Sequence, residues 1–555
     1  MKILKPIFYT AVAGLFLTSC KSISNIPVPV GSDIVINATA KKAKLTDIEK
    51  DNWQHLDLIK DSIPGMSVDK AYEFLKGKIG VEVVVGVVDS GTDLKHEDLI
   101  DVAWVNKEEV AGNGIDDDKN GYVDDINGWN FLGSSYKEHL EYERILMNPS
   151  ITDAETLAEV KKYHKEKVDG AKKANENLMQ NKVRYEQLLQ GVNNADAAFT
   201  KHFGKKDYTT AEVMSLKTED AELLKNIQVA KTIFGFGLPS LTVAKQEIEK
   251  GVNYFIKQLA NNKKLIDGDN LKTDYRLEVG DNAYDINDKP GSGDANTGHS
   301  TKDEAHGSHV SGIIGATRNN GKGMNGVANN VKIMAVRSVS DGDEYDKDVA
   351  LGIRYAVDNG AKVINTSFGK AFSPNKEWVY EAIKYAAKND VLIVNAAGND
   401  GKNIDIEKTF PNDSEDLTTE ISDNVLTIGA MSANYNEKLP ASFSNYGKIN
   451  VDVFAPGVQV NSTTPENGYA KFSGTSMAAP ATAGVAALIR SYYPKLSASQ
   501  VKHILMNSGT KINFDVIKPG TKDEKVPFSE LSVSGRVVNA YNALKMADRM
   551  VNGKK

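Results

Sequence analysis

Cysteine is almost absent from this chain, whose 555 residues include a single one, Cys20. One cysteine excludes an internal disulfide. After the N-terminal segment, no stretch reaches the roughly 18 apolar residues that indicate a membrane-spanning helix. The net charge of -7 argues against nucleic acid as a partner, because nucleic-acid-binding proteins usually present a basic face. The chain is 41% hydrophobic, which is enough to bury a sizeable core.

The N-terminus has the pattern of a targeting segment. Residues 1–20, MKILKPIFYTAVAGLFLTSC, combine two lysines, an apolar run and small residues, which is typical of a secretory signal. Their end, LTSC, resembles a bacterial lipobox, which implies cleavage before Cys20 and a lipid on its sulfur. The alternative is an ordinary signal peptide with a chance cysteine. We expect an extracytoplasmic protein anchored by lipid to a bacterial membrane, with the outer membrane favoured over the inner one.

A carboxylate follows the first strongly apolar stretch. The run from Val81 to Val88 is rich in β-branched residues and ends at Asp89. Such a run predicts a strand buried on both faces of a parallel sheet. Asp89 would then lie at the carboxyl end of the strand, where α/β folds place their sites. The alternative is a turn aspartate that caps the strand.

A histidine pair and a serine are two further candidates. HGSHVSGIIGA contains His306 and His309, which predict a general base, a metal-binding pair or a buried structural histidine. FSGTSMAAP places Ser476 among small residues, as expected for a closely packed helix start or for a nucleophile. A serine hydroxyl is a weak nucleophile that needs a base beside it. The residues alone leave these readings open.

Together, VVDSGTDLKHEDL, HGSHVSGIIGA and FSGTSMAAP resemble the three signature segments of the subtilisin-like serine peptidases, in the order Asp, His, Ser. This resemblance implies that Ser476 is the nucleophile and that His306 is the general base. Asp89 would orient the imidazole and stabilise its charged form. Such a site needs no cofactor for catalysis. It predicts hydrolysis of proteins or peptides outside the cytoplasm.

Two more segments are similar to that family. VLIVNAAGND places Asn399 where the family has its oxyanion-hole asparagine, although a turn asparagine is the alternative. VINTSFG resembles the substrate-binding segment, with a phenylalanine where familiar members carry leucine. The pocket walls implied by the resemblance are Ser367, Phe368 and Gly369 on one side and Ala396, Ala397 and Gly398 on the other.

The resemblance also implies structural calcium. Asp98 matches a calcium-ligating aspartate of the family, and the loop RNNGKGMNGVA matches its partner. Asn320 would bind through its side chain, and Arg318, Lys322 and Met324 would bind through their carbonyl groups, an oxygen shell that calcium prefers. The charges of the arginine and the lysine must then point outward.

A second loop, DDDKNGYVDDIN, has the alternating oxygen ligands of an EF-hand-like calcium site. Its candidate ligands are Asp116, Asp118, Asn120 and Asp124. Position twelve is Asn127 instead of a bidentate glutamate, and no flanking helix is evident. The alternative is a solvated acidic turn.

Asp89 and His306 are 217 positions apart, far more than in familiar members, so a large insertion is expected between them. Residues 135–265 are rich in Lys, Glu, Ala and Leu at helical spacing, which predicts several antiparallel helices. Thr152 and Glu155 have the spacing of a capping box at the first of them. The insertion is either a lid or exosite at the cleft, or a spacer or partner-binding surface away from it.

The fold expected from these segments is a three-layer α/β sandwich with a mostly parallel sheet and an inserted helical subdomain. The predicted boundaries are 1–20 for the signal, 21–65 for a tether and N-terminal extension, 66–134 and 266–550 for the peptidase, and 135–265 for the insertion. The stretch before residue 66 is too short for the inhibitory propeptide of many family members, so we expect none to be removed. The competing hypothesis is a gated or catalytically silent peptide-binding protein on the same scaffold.

Overall fold

The computed structural model describes residues 39, 41–288, 293–298 and 304–553. Cys20 and the tether that follows it lie outside these residues, so their roles stay predictions. The described part of the N-terminal extension is packed against the peptidase: Trp53 is 2% exposed and Ile63 is fully buried. The Trp53 indole N–H also donates to the Val458 carbonyl, at 3.2 Å.

A nine-stranded sheet forms the centre of the described molecule. The strands of the described residues are β1 (Val83–Asp89), β2 (Gly128–Asn130), β3 (Val331–Arg337), β4 (Val363–Thr366), β5 (Leu392–Ala396), β6 (Val425–Met431), β7 (Val453–Pro456), β8 (Val460–Thr464), β9 (Gly468–Phe472), β10 (Thr510–Lys511), β11 (Asp515–Ile517), β12 (Lys525–Pro527) and β13 (Arg536–Val537). Four of them form two separate two-stranded sheets, β8 with β9 and β11 with β12. The sheet order is β10-β13-β7-β6-β5-β4-β1-β3-β2, and every pair is parallel except β10 with β13.

Helices cover both faces of this sheet. The α-helices are α1 (Asp47–Asn52), α2 (Val68–Leu75), α3 (Glu141–Met147), α4 (Ala154–Phe203), α5 (Thr210–Ser215), α6 (Ala221–Gly235), α7 (Leu241–Asp267), α8 (His306–Gly315), α9 (Asp346–Asp358), α10 (Lys376–Lys388), α11 (Thr475–Tyr492), α12 (Ala498–Ser508) and α13 (Ala540–Asn552). Within the described ranges, none of them is long and apolar enough to cross a membrane.

The apolar side chains of β1 pack into the cores on both faces of the sheet, because side chains alternate along a strand. Val85 and Val87 join the core formed with α2, α8, α11, α12 and α13. Val88 joins the separate core formed with α9 and α10. A sheet between two helical layers follows, and the predicted three-layer α/β fold is confirmed.

Helices α4 to α7 occupy the predicted insertion. Tyr185 of α4 packs on Phe255 of α7 with ring centroids 5.1 Å apart, and Asn175 hydrogen-bonds Asn262, so the two helices run antiparallel. The helices have their own small core, separate from the two cores of the sheet. The predicted boundaries of the insertion remain a prediction.

The predicted capping box at the start of α4 is wrong by one position. Asp153, not Thr152, is the N-cap residue, and its carboxylate accepts the Thr156 backbone N–H at 2.8 Å. An aspartate at the N-cap satisfies a free N–H and complements the positive end of the helix. Glu155 therefore lies in the first turn and completes no capping box.

Candidate active site

The predicted site residues gather at the carboxyl edge of three neighbouring strands. Asp89 ends β1, Ser367 follows β4 and Ala396 ends β5. The sheet order places β5, β4 and β1 side by side. Residues more than 270 positions apart in the chain therefore meet at one edge, because parallel strands end together.

Asp89 and His306 form a close pair. The Asp89 Oδ1 atom lies 2.8 Å from His306 Nδ1 and also accepts the Ser90 backbone N–H at 2.7 Å. Asp89 is 1% exposed. His306 is the first residue of α8, so its ring emerges at the end of a helix that packs under the sheet edge. The hydrogen bond fixes Nδ1 as the protonated nitrogen and leaves Nε2 free to accept a proton.

The electrostatics of this pair favour a charged imidazole. Burial acts to lower the pKa of His306, but the charge of Asp89 and its hydrogen bond outweigh it, so the pKa is raised above its ordinary value. A carboxylate beside an imidazole does this because it stabilises the positive form. The base is therefore strengthened by its neighbour.

His309 has a different environment. Its Nε2–H donates to the Ala470 carbonyl at 3.0 Å, and its ring stacks on Phe472 with centroids 4.2 Å apart. Burial lowers the pKa of His309 to about 3, so the ring is neutral. Of the alternatives for the histidine pair, the described structure shows a buried, hydrogen-bonded His309 and a His306 bound to Asp89, with no shared metal group between them.

Ser476 lies in the first turn of α11. Gly474 precedes the helix, and buried small residues fill the next turn. The Ser476 hydroxyl donates to the Ser367 carbonyl at 3.1 Å, and the Ser367 hydroxyl donates to the Ser476 carbonyl at 3.0 Å. No hydrogen bond joins Ser476 to His306 in the described residues. Catalytic hydrogen bonds are often long before substrate binds, so this arrangement is compatible with a nucleophile at rest.

Two hydrogen-bond donors face one space beside the serine. Asn399 Oδ1 accepts from the Thr475 backbone N–H at 2.8 Å and from its hydroxyl at 3.0 Å, which fixes the orientation of the amide. A Cβ placed on Gly474 would lie 3.6 Å from both Asn399 Nδ2 and the Ser476 backbone nitrogen. These nitrogens thus converge on the space that the glycine leaves open. An oxyanion hole needs two such donors near one point, and its assignment here stays a prediction.

A segment that the sequence did not single out lies beside both predicted pocket walls. Lys370, directly after Gly369, exchanges backbone hydrogen bonds of 2.8 and 2.9 Å with Phe410. A Cβ on Gly369 would lie 3.1 Å from the Phe410 carbonyl oxygen. Thr409 and Pro411 line a small cavity together with Ala396 and Ala397 of the other wall. Residues 409–411 therefore contact both wall segments, and no motif in the sequence marks them.

Asp98 does not present a calcium cage as arranged. Its carboxylate accepts from the Asn320 amide at 2.6 Å, the Met324 backbone N–H at 3.3 Å and the Tyr469 hydroxyl at 2.8 Å. Three protein donors thus satisfy it, where calcium would need oxygen ligands. The structure places the predicted Asp98 and Asn320 together, but as a closed polar cluster.

The two charged side chains of that loop differ in their exposure to solvent. Lys322 points outward as expected, with its side chain 47% exposed and paired to Glu97. The Arg318 side chain is only 8% exposed and pairs with Asp69 at 3.3 Å, so the expected outward position is wrong for it. Its guanidinium packs over the Tyr72 ring, where burial against α2 replaces hydration.

In the acidic loop, the carboxylates that lie together are not the whole set that the loop spacing predicts. Carboxylate oxygens of Glu109, Asp118 and Asp125 lie within 4.8 Å of one another. Asn120, also predicted, donates to Asp118 at 3.0 Å and to Asp125 at 3.1 Å. Hard carboxylate oxygens at this separation fit calcium. Calcium binding here stays a prediction, and the ion would serve to hold the loop.

The structure does not bring Asp116 and Asp124 into this cluster, which corrects their predicted place. Asp116 accepts the Gly121 backbone N–H at 2.9 Å. Asp124 accepts backbone N–H groups of residues 112–114 at 2.7 to 3.1 Å. Both carboxylates accept backbone N–H groups that close turns of the loop, and Asp116 shares the Asn120 backbone N–H with Asp118. Glu109 and Asp125 were missed because neither fits the loop spacing.

Comparison with known proteins agrees with this geometry. Residues 80–523 match the Subtilase family. Subtilisin DY of Bacillus licheniformis is 38% identical over 215 residues, which are 39% of this chain and 73% of that protein. Thermitase of Thermoactinomyces vulgaris is 38% identical over 209 residues, 38% of this chain and 68% of that protein. The cell wall-associated protease of Bacillus subtilis is 35% identical over 222 residues, 40% of this chain but only 23% of that protein.

The α/β fold and these relatives define a serine endopeptidase. The chain belongs to the subtilase family.

Proposed function

We propose that this protein hydrolyses peptide bonds of extracytoplasmic proteins or peptides through Asp89, His306 and Ser476, with Asn399 stabilising the oxyanion. The observation that carries this proposal is the 2.8 Å contact at the sheet edge between the buried Asp89 and the partly exposed His306. A base oriented by a carboxylate is what a serine nucleophile requires.

The proposed reaction follows from the positions of these groups. His306 Nε2 takes the proton of Ser476 as Oγ attacks the substrate carbonyl carbon. The carbonyl oxygen gains negative charge and accepts hydrogen bonds from the Asn399 amide and the Ser476 N–H. His306 then gives the proton to the leaving amine. Water attacks the acyl-enzyme by the same route in reverse and frees Ser476.

For attack to occur, the Ser476 hydroxyl must leave the Ser367 carbonyl and turn to His306. This resting contact favours a second candidate, an enzyme that is gated until substrate or a partner arrives. A gated enzyme would react with a small phosphonate probe and leave casein intact. A catalytically silent binding protein would leave casein intact and would not react with the probe.

The test uses the chain purified with Cys20→Ser, incubated with unfolded casein and a mixed peptide library. We expect cleavage, and we expect Ser476→Ala to reduce kcat by about 10⁴- to 10⁶-fold. Ser473→Ala is the matched control, because its hydroxyl accepts from the backbone N–H and the side-chain amide of Gln459 and contacts none of the proposed reactive residues. Equal cleavage by wild type and Ser476→Ala would contradict the proposal.

The proposed lipid anchor rests on the N-terminal pattern that ends at Cys20. Its test is the partition of the full chain into a detergent phase after expression in bacteria. Wild type should enter the detergent phase and Cys20→Ser should stay in the aqueous phase. Equal partition of both would contradict lipidation.

A further inference from the structure

A cavity of about 290 Å³ lies at the outer edge of the central sheet. One wall is formed by residues 57–59 of the N-terminal extension, and a second by residues 507–511, which run from the end of α12 into β10. The third wall is one face of α13, where Tyr541, Lys545 and Arg549 follow one another at helical spacing. Because β10 is the edge strand of the sheet, this cavity shares no residue with the candidate active site.

The charged side chains of this cavity are mostly positive, although the whole chain has a net charge of -7. One carboxylate, that of Asp57, lines it beside five cationic side chains: Lys70, Lys511, Arg536, Lys545 and Arg549. Asp57 pairs with Lys70 at 3.2 Å. Within the part of the chain that the structure describes, no carboxylate pairs with Lys545 or Arg549. These two residues therefore leave positive charge at the cavity that a bound anion would offset.

The positive groups also lie close to one another. The ammonium groups of Lys70 and Lys545 lie over the same ring, that of Tyr541, at 4.8 and 5.2 Å from its centroid. Lys545 and Arg549 are four residues apart on α13, and like charges at this spacing destabilise a helix. An anion in the cavity would reduce this repulsion.

A hydroxyl group at the cavity lacks a hydrogen-bond partner. Ser508, the last residue of α12, lines the cavity and is 6% exposed. Its hydroxyl is buried and makes no hydrogen bond to any described residue. A buried polar group without a partner is unfavourable. The hydroxyl would donate to an anionic oxygen bound beside it, so hydrogen bonding and charge indicate the same kind of ligand.

We propose that this cavity binds a phosphate group, which Lys545, Arg549 and the Ser508 hydroxyl hold. Phosphate fits better than a carboxylate, because it carries more negative charge and more acceptor oxygens. Arginine and lysine are the side chains that proteins use to bind it. Two sources carry this chemistry, a soluble phosphate and the headgroup of a phospholipid.

The position of the cavity makes both sources accessible. The backbone N–H of Lys41 donates to the Ser62 carbonyl at 3.3 Å, and that of Asp61 donates to the Asp57 carbonyl at 2.8 Å. The chain that leads from the proposed lipid anchor therefore reaches the peptidase beside this cavity. The inference itself depends neither on the anchor nor on the peptidase activity.

The test is calorimetric titration of the full chain carrying Cys20→Ser, at one fixed ionic strength. One arm uses inorganic phosphate. The other uses vesicles of phosphatidylglycerol in phosphatidylcholine, with phosphatidylcholine alone as the reference. We expect saturable binding that Lys545→Gln weakens about tenfold, the contribution of a hydrogen bond to a charged group. Ser508→Ala should weaken it about two- to tenfold, the range for a neutral donor.

Lys78→Gln is the matched control, because Lys78 pairs with Asp548 of α13 at 2.8 Å but does not line the cavity. It should leave binding unchanged. Binding in the phosphate arm alone identifies a soluble phosphate as the ligand, and Lys545-dependent binding to the anionic vesicles identifies a headgroup. If Lys545→Gln fails to fold, Arg549→Gln, at an exposed position, must weaken binding instead.

Three results would overturn the inference. The first is the absence of saturable binding in both arms. The second is unchanged binding by the folded cavity variant, Lys545→Gln or its replacement Arg549→Gln. The third is an equal loss of binding in Lys78→Gln, which would show a general effect of charge and not a site.

Discussion

Helix α11 is buried along almost its whole length, whereas α4 is exposed along most of its own. α11 carries Ser476 in its first turn and passes through the core on small side chains. α4 has 50 residues, of which five are buried. Close packing fixes α11 and with it the nucleophile. Near its start, the long helix contacts the peptidase, where Tyr163 packs on Phe372 and, in the neighbouring α3, Glu141 pairs with Lys370.

The core elements and the helical insertion differ in how they relate to the candidate active site. Asp89, His306 and Ser476, the proposed reactive residues, all lie on elements of the core. The base of the insertion contacts the segment after Gly369, through Glu141 with Lys370 and Tyr163 with Phe372. Distant parts of α4 to α7 form a separate core and do not contact the pair of Asp89 and His306.

The largest effect should come from Asp89→Asn, which keeps the shape of the site and removes the charge. We expect kcat to fall about 10⁴-fold, because the imidazole loses the partner that sets its tautomer and stabilises its positive form. Peptide hydrolysis rates measure this. Asp93→Asn is the control, since the Asp93 carboxylate accepts the backbone N–H groups of Lys95 and Glu466, at 3.2 and 3.1 Å, and has no hydrogen bond to His306. Equal losses in both variants would contradict a special role for Asp89.

The next largest effect should come from Glu141→Gln at the base of the insertion. It removes a charge that pairs with Lys370 at 2.7 Å and with Arg144, both deeply buried. Removing one partner of a buried pair costs about 3–5 kcal/mol. Urea unfolding measures the loss, and a shift of less than about 1 kcal/mol would show that the contact does not tie the insertion to the wall.

A moderate change in kcat/KM is expected when the pH is lowered. The protonated imidazole cannot accept the serine proton, so kcat/KM should fall about tenfold per pH unit on the acid side. Because Asp89 raises the pKa of His306, the midpoint should lie above the ordinary value of about 6.5. In Asp89→Asn the midpoint should move to lower pH. A wild-type midpoint below the ordinary value would contradict the pairing.

The smallest effect should come from Glu186→Gln, the same substitution on the exposed face of α4. Glu186 pairs with Lys182 at 2.6 Å, with side chains 44% and 24% exposed. Exposed helical pairs contribute about 0.3–0.5 kcal/mol, and less in this Lys-before-Glu order. In urea unfolding beside Glu141→Gln, the Glu186→Gln substitution should change the free energy of unfolding very little. A loss as large as that of Glu141→Gln would remove the contrast between the two regions.

The reactive residues could be predicted because each follows a local pattern. Asp89 ends an apolar run, and Ser476 is surrounded by small residues that permit close approach. The helices of the insertion were also predictable from their periodicity. The start of α4 was misplaced because Thr152 and Asp153 are both good N-cap residues and only the backbone decides between them.

The rest depends on contacts between distant segments. Glu109 joins Asp125 only when their loop closes, and residues 409–411 come beside the predicted wall only when Phe410 pairs with Lys370. Such residues gain their roles from tertiary packing, which no local spacing encodes.

The most direct test of this account is to map the serine that reacts with a fluorophosphonate probe. The intact chain would be labelled, digested and analysed by mass spectrometry, beside Ser476→Ala and Ser473→Ala. The account predicts one modified serine, Ser476, with labelling abolished in Ser476→Ala and retained in Ser473→Ala. Labelling at another serine, or none in the folded wild-type protein, would contradict the assignment of Asp89, His306 and Ser476 as the reactive centre.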